Sequence, residues 1–159
     1  MSSFEQRIEK GSIGEEIVQQ FLEDNGGYIC YSPVTSGQHP VDLFCSDFLN
    51  QNLFCAEVKL KDKMKKYNAT GINLTHLRSY QSLQEKNNMK VLIFFVDPSM
   101  KEVYYNTLDE LMAKCTYNGI DYPNYGIARN KVLFPLENMR HVKNLNEEEL
   151  TKIEQYKLN

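Results

Sequence analysis

Six consecutive apolar residues, Val91–Val96 (VLIFFV), constrain the fold more than any other feature of this chain. A strand with no polar alternation needs cover on both faces, which places it in the middle of a sheet. Immediately upstream, Leu74, Leu77, Tyr80 and Leu83 recur every third residue, marking the apolar stripe of a helix from about Asn73 to Asn87. A helix leading into a strand forces a crossover, so VLIFFV is free to lie parallel to its neighbour. The expectation is an α/β domain with a mixed sheet.

The remaining elements fit around that centre. Phe4, Ile8, Ile13, Ile17, Val18, Phe21 and Leu22 recur at helical spacings, so a long amphipathic helix is expected from Phe4 to about Asn25, with a bend or interruption open at Gly11 and a stop at Gly26-Gly27. YICYSP, VDLFC and NLFCAEVKL read as three strands separated by turn formers. A polar, lysine-rich loop is expected from about Lys61 to Thr70, and a further strand at EVYYN. Thr107 with Glu110 and Asn146 with Glu149 carry capping-box spacing and open two later helices. Between those helices lie a Tyr/Asn/Gly-rich loop and a short strand at VLFPL. With 159 residues, 42% of them hydrophobic and 25% charged, one domain with a real core is expected. Its core covers about 4–97, and 98–159 supply peripheral strands and helices.

No run of eighteen apolar residues is present, and MSSFEQRIEKG lacks a signal-peptide hydrophobic stretch. A cytoplasmic protein with no membrane partner is expected. The net charge of −3 argues against a protein that coats nucleic acid indiscriminately. It leaves room for a local basic surface, and Lys59, Lys61, Lys63, Lys65 and Lys66 fall within eight residues. Cys30, Cys45, Cys55 and Cys115 form no CxxC pair, and three of them sit in apolar runs, which suits buried small hydrophobes. His39, His76 and His141 lack metal-ligand spacing and read as surface or hydrogen-bonded histidines.

Glu57 and Lys59 are two apart in a strand, so their side chains share a face. Asp42 lies fifteen residues before Glu57. A hairpin that sets Asp42 opposite Glu57 turns between Leu49 and Asn50, within the polar stretch SDFLNQN. Two carboxylates in the apolar contexts VDLF and CAEVKL need counter-charge, which Lys59 and a divalent cation supply. Hard oxygen ligands suit Mg2+ (or Mn2+), and the Val58 carbonyl is a further ligand available on the same strand. Such a site hydrolyses phosphodiesters without a covalent nucleophile, with Lys59 holding the attacking water or stabilising the transition state. The bare pattern arises by chance about once in a chain this acidic, and a plain salt bridge on a strand face produces it equally well.

Together with Gly11-Ser-Ile-Gly14-Glu15 in the first helix, Pro40-Val-Asp42 and Glu57-Val-Lys59 resemble the PD-(D/E)XK nuclease superfamily, especially its Holliday-junction-resolvase-like and phage-type branches. One residue, Val41, separates the proline from the aspartate. The resemblance spans roughly Phe4 to Val96 and implies a restriction-endonuclease-like α-β-β-β-α-β core. It implies metal binding by Asp42 and Glu57, catalysis by Lys59, and Glu15 reaching the site from the first helix, with Glu16 its competitor. It further implies a metal-dependent DNA endonuclease, on branched or Holliday-junction DNA, acting as a homodimer. Lys61, Lys63 and Lys65 are the candidate DNA contacts, because alternation puts Lys61 and Lys63 on the site's face if the strand continues. Gln81, and beside it Gln84, fall along the second helix's stripe and are candidates on its site-facing side. The alternatives are a repair or restriction-type nuclease on other DNA or RNA, and a catalytically silent nucleic-acid-binding module.

Overall fold

The computed structural model describes the backbone of residues 3–34, 39–47 and 52–156, and the side chains there from Gly11 onward except those of Cys115, Tyr117 and Tyr122. Helix α1 (Ser3–Gly26) precedes β1 (Tyr28–Tyr31), β2 (Leu43–Asp47), β3 (Leu53–Leu60) and β4 (Ala69–Asn73). Then come α2 (Leu74–Asn87), β5 (Lys90–Asp97), β6 (Glu102–Thr107), α3 (Leu108–Met112), β7 (Lys114–Tyr117) and β8 (Ile120–Pro123). The chain continues through β9 (Gly126–Ala128), β10 (Lys131–Pro135), β11 (Arg140–Asn144) and α4 (Glu147–Gln155). Six strands form the main sheet in the order β1-β2-β3-β5-β6-β11. β3 and β5 run parallel at its centre, joined through α2, while every other neighbouring pair is antiparallel.

Strand alternation divides the core in two. From β3 and β5, Phe54, Ala56, Val58, Leu92, Phe94 and Val96 pack on one face against Ile13, Ile17, Val18 and Leu22 of α1. Cys55, Val91, Ile93 and Phe95 point the other way, onto Leu77 and Tyr80 of α2 and Ile72, Val132 and Phe134 of a second sheet. Val91 to Val96 are all buried, as an uninterrupted apolar strand requires. α1 runs through Gly11 without a break. Asn146 and Glu149 form the expected reciprocal capping box at α4. At α3 the Thr107 side chain accepts from the Glu110 N–H.

The register of β2 and β3 pairs Leu43 with Ala56 and Ser46 with Leu53, which centres the connection between Leu49 and Asn50. That turn itself lies outside the described residues. Cys30, Cys45 and Cys55 are free and buried, while the Cys115 side chain is outside the description.

The polar loop ends earlier than the sequence suggests. Ala69–Asn73 form β4, which pairs with β10 in the second sheet, β4-β10-β9. Gly71 permits that pairing, since a Cβ there would stand 2.1 Å from the Val132 carbonyl oxygen. A glycine inside a five-residue strand carries a weak β signal, so the segment passes for loop. The Tyr/Asn/Gly-rich region is likewise structured, with the β7–β8 hairpin turning at Asn118-Gly119, both at positive φ. After Asp97, β6 and β11 join the main sheet and β10 packs on its α2 face.

Candidate active site

The parallel strand β3 fixes the site's first two side chains. Glu57 and Lys59 emerge on the α2 face, and Lys59 Nζ donates to a Glu57 carboxylate oxygen in an ion pair. Glu57 is only 4% exposed. Burial is the main reason its carboxyl sits above its ordinary 4.5, countered by Lys59 and reinforced by repulsion from Asp42. The Tyr80 hydroxyl of α2 lies against Glu57 and works to lower its carboxyl, while burial beside that carboxylate raises the phenol's own pKa far above its ordinary value.

Asp42 sits at a bend just before β2, where the regular ladder slips. Its N–H donates to the Ala56 carbonyl at 3.2 Å rather than to the residue opposite. The slip turns Val41 into the α2-side core while Leu43 joins the α1-side core. The Asp42 carboxylate accepts from the Val58 backbone N–H at 2.7 Å, which anchors it beside Glu57.

α1 supplies the third carboxylate. A Cβ on Gly14 would lie 3.1 Å from Leu60 Cβ and 3.4 Å from Val58 Cγ1, so the glycine lets the helix settle close onto β3. The adjacent Glu15 is half-buried, and its pKa is raised by that burial and then by Asp42, with His39 and Lys59 opposing. Glu16 turns away and pairs with Lys152 of α4 at 3.4 Å. Three carboxylates thus share one field with one ammonium, a distribution that favours a bound cation or retained protons.

The donor set fits a hard divalent ion in part. Asp42 and Glu57 offer oxygens anchored on adjacent chain segments, and their mutual repulsion would be relieved by a cation between them. Among the described residues no three His, Cys, Asp or Glu side chains converge on one such position. Two carboxylates with backbone oxygen and water are therefore the protein's offer, with Glu15 farther out.

The other sequence candidates fall in different places. β3 ends at Leu60, so the alternation of lysines stops before Lys63. Lys61 is half-buried and points its ammonium at the Gly71 carbonyl and over the Phe95 ring, 5.6 Å from its centroid. Burial first, then Lys131 and Lys59, bring its pKa down to about 8. The Lys63 N–H is pinned to Asp97 at 2.8 Å, and Lys65 is exposed. Gln81 is half-buried on α2. Gln84 is structural, donating to Asp109 at 2.5 Å and accepting from Val91 N–H at 3.4 Å.

Three residues near the site were not singled out from the sequence. Tyr80 reads there as one more apolar stripe position. His76, read as a surface or hydrogen-bonded histidine, is exposed, and its ring also packs edge-on against Tyr80 at 6.3 Å between centroids. Burial and then Lys59 lower its pKa, while Asp42 opposes. The i,i+4 spacing of His76 and Tyr80 was the available signal. Lys131 had none, because only the second sheet brings it near Lys61.

No family model matches this chain and no curated protein matches it. Among solved structures, it is similar to Hjc, a Holliday junction resolvase from the archaeal hyperthermophile Archaeoglobus fulgidus, with a TM-score of 0.56. The two are 9% identical, over 80% of this chain and 90% of that one. At this identity the likeness is one of fold, and the fold of this chain is a mixed α/β architecture with a central sheet flanked by helices.

Proposed function

We propose that the chain is a metal-dependent endonuclease hydrolysing phosphodiester bonds in DNA, with branched DNA as its first candidate substrate. The observation that carries this reading is the placement of Asp42 beside Glu57 and Lys59, on a sheet whose architecture is that of a Holliday junction resolvase. That neighbour is archaeal and favours the resolvase-like branch over the phage-type one.

Asp42 and Glu57 would hold Mg2+ or Mn2+, with the Val58 carbonyl as backbone ligand and Glu15 as an outlying acid. When bound, the ion supplies Lewis acidity at the scissile phosphate and lowers the pKa of a water. The chain's own groups do the rest. Val58 N–H fixes the Asp42 carboxylate and the Tyr80 hydroxyl lies against that of Glu57, so little reorganisation accompanies the reaction. Lys59 exchanges its bond to Glu57 for a donor role toward the attacking water or the phosphoryl oxygens. Its positive charge then meets the negative charge that grows in the transition state.

A second reading draws on the same ion pair. Lys59 already neutralises Glu57 without a metal, as it would in a catalytically silent nucleic-acid-binding module. One experiment separates them. The protein is incubated with Mg2+ or Mn2+ and linear, nicked, flapped, four-way and single-stranded DNAs, plus RNA. Cleavage that Asp42→Asn and Glu57→Gln both abolish supports the nuclease, and preference for the four-way substrate supports the resolvase branch and its expected homodimer. Binding without cleavage under every metal supports the silent module.

A further inference from the structure

The second sheet does more than close the core: the start of its middle strand, β10, brings the positive charge of Lys131 near Lys61. β4 and β10 are held tightly by the Gly71 contact with Val132, and Gly71 pairs with Leu133. The Gly71 carbonyl accepts from Lys61, which ties this sheet directly to the residue two beyond Lys59. Two residues farther along β4, Asn73 pairs with Lys131. The adjoining β9–β10 turn is fixed as well, since the Asn130 carbonyl accepts from Leu74 N–H at 2.8 Å. That bond fastens the turn to the first residue of α2, the helix that carries Tyr80 toward Glu57 and His76 toward Lys59 and Asp42. Lys131 and Lys59 are both close enough to Lys61 to repel its charge.

Three ammonium groups gathered by two sheets are mutually repulsive, and an anion shared among them relieves the repulsion. Lys59 is engaged with Glu57, and Lys61 spends one of its three N–H donors on Gly71. Lys131 is exposed to a ligand of compact negative charge, and half-buried Lys61 beside it keeps donors beyond the one that Gly71 takes. We propose that Lys131 and Lys61, with Lys59 at the inner end, form a docking site for a backbone phosphate of the nucleic-acid strand next to the one being cut. This deepens the nuclease reading and rests on it for the identity of the ligand. It assigns a strand-positioning role to a segment, β9–β10, that the PD-(D/E)XK motif residues do not include.

The test uses the full chain and DNA binding measured in EDTA across a salt series. Lys131→Ala lowers the slope of log K against log salt by about one, as loss of one phosphate contact does. Lys131→Arg keeps the slope, and so does Lys90→Ala, a change at the far end of β5. In Mg2+, Lys131→Ala raises KM for DNA but leaves turnover of bis(p-nitrophenyl) phosphate unchanged, because that small diester has no neighbouring phosphate. An unchanged slope and KM in Lys131→Ala, in a protein that melts like the wild type, overturns the docking site. Failure of the nuclease reading looks different: the wild type cleaves neither DNA nor the small diester with any metal, whatever the Lys131 slope shows.

Discussion

Tyr80 on α2 sets its hydroxyl against the carboxylate of Glu57 on β3, so the crossover helix and the central strand meet at a buried polar contact. Burial has already raised the Glu57 carboxyl above 4.5, and Lys59 and the Tyr80 hydroxyl both work to lower it. A carboxyl raised in the fold favours its protonated form there. Its contribution to stability is therefore present below pH 4.5 and is lost as pH rises through the folded value. The Tm of the wild type, measured against Glu57→Gln, should fall as pH rises through that window. Tyr80→Phe removes a donor to the charged form and raises the Glu57 carboxyl further, so the acid limb of the cleavage profile should move to higher pH. A Tm difference that stays flat with pH would show that Glu57 is not buried as described.

Asp42 allows charge and hydrogen bonding to be separated. Asp42→Asn keeps an acceptor for the Val58 N–H and removes one carboxylate from a crowded field. Calorimetry should show loss of Mn2+ binding, with a Tm without metal level with the wild type or above it. Asp42→Ala should also lose the metal, but its orphaned Val58 N–H should cost about 1 kcal/mol. Full Mg2+-dependent cleavage by either variant would remove Asp42 from the site.

Lys59 and Lys65 should separate by kinetic signature. Lys59 pairs with Glu57 at the proposed metal site, whereas Lys65 is exposed in the loop after β3. Lys59→Ala should lower kcat strongly with little change in KM, the mark of an interaction realised in the transition state. Lys65→Ala should raise KM and reduce the salt dependence of binding, with kcat preserved. Equal effects on both constants in both variants would erase the distinction.

Much of this arrangement was legible in the chain because it depends on short-range rules. The even spacing of Glu57 and Lys59 fixes their common face, and the fifteen-residue interval from Asp42 fixes the hairpin centre. The uniform apolarity of VLIFFV places β5 beside β3 in the middle. What was hidden depends on partners distant in sequence. β4 is a strand because β10, some sixty residues later, accepts it at a glycine. Lys61 follows strand parity toward the site, yet its ammonium is taken by the Gly71 carbonyl, which no pattern of lysines reveals. Tyr80 shows only an aromatic ring to a periodicity argument. Its hydroxyl matters because α2 packs over a strand that carries a buried acid.

Thr70 gives a prediction about stability alone. Its hydroxyl oxygen is buried in β4 and, among the described residues, has no hydrogen-bond partner. Thr70→Val keeps the branched shape that suits a strand and removes the unpaired group. Since an unsatisfied buried polar group costs about 1–3 kcal/mol, the variant should unfold at higher denaturant with an unchanged m-value. An equal or lower midpoint would mean that the hydroxyl is hydrated or bonded in solution.

Lys61 supplies a test with the opposite pH sense to Glu57. Its ammonium is half-buried against Phe95 and Gly71, and its pKa falls from 10.5 to about 8. A depressed lysine favours its neutral form in the fold. Between pH 8 and 10.5 the unfolded chain holds the proton that the folded chain has released, so stability rises with pH. The contribution is fully present above 10.5 and is lost as pH falls through about 8. Measured against Lys61→Met, which keeps the apolar stem over the Phe95 ring, the wild-type Tm should climb across that interval. Adding a short DNA duplex in EDTA should flatten the climb, because a phosphate beside Lys61 holds its proton on. A Tm difference independent of pH without DNA would place the ammonium in open water and detach Lys61 from the second sheet.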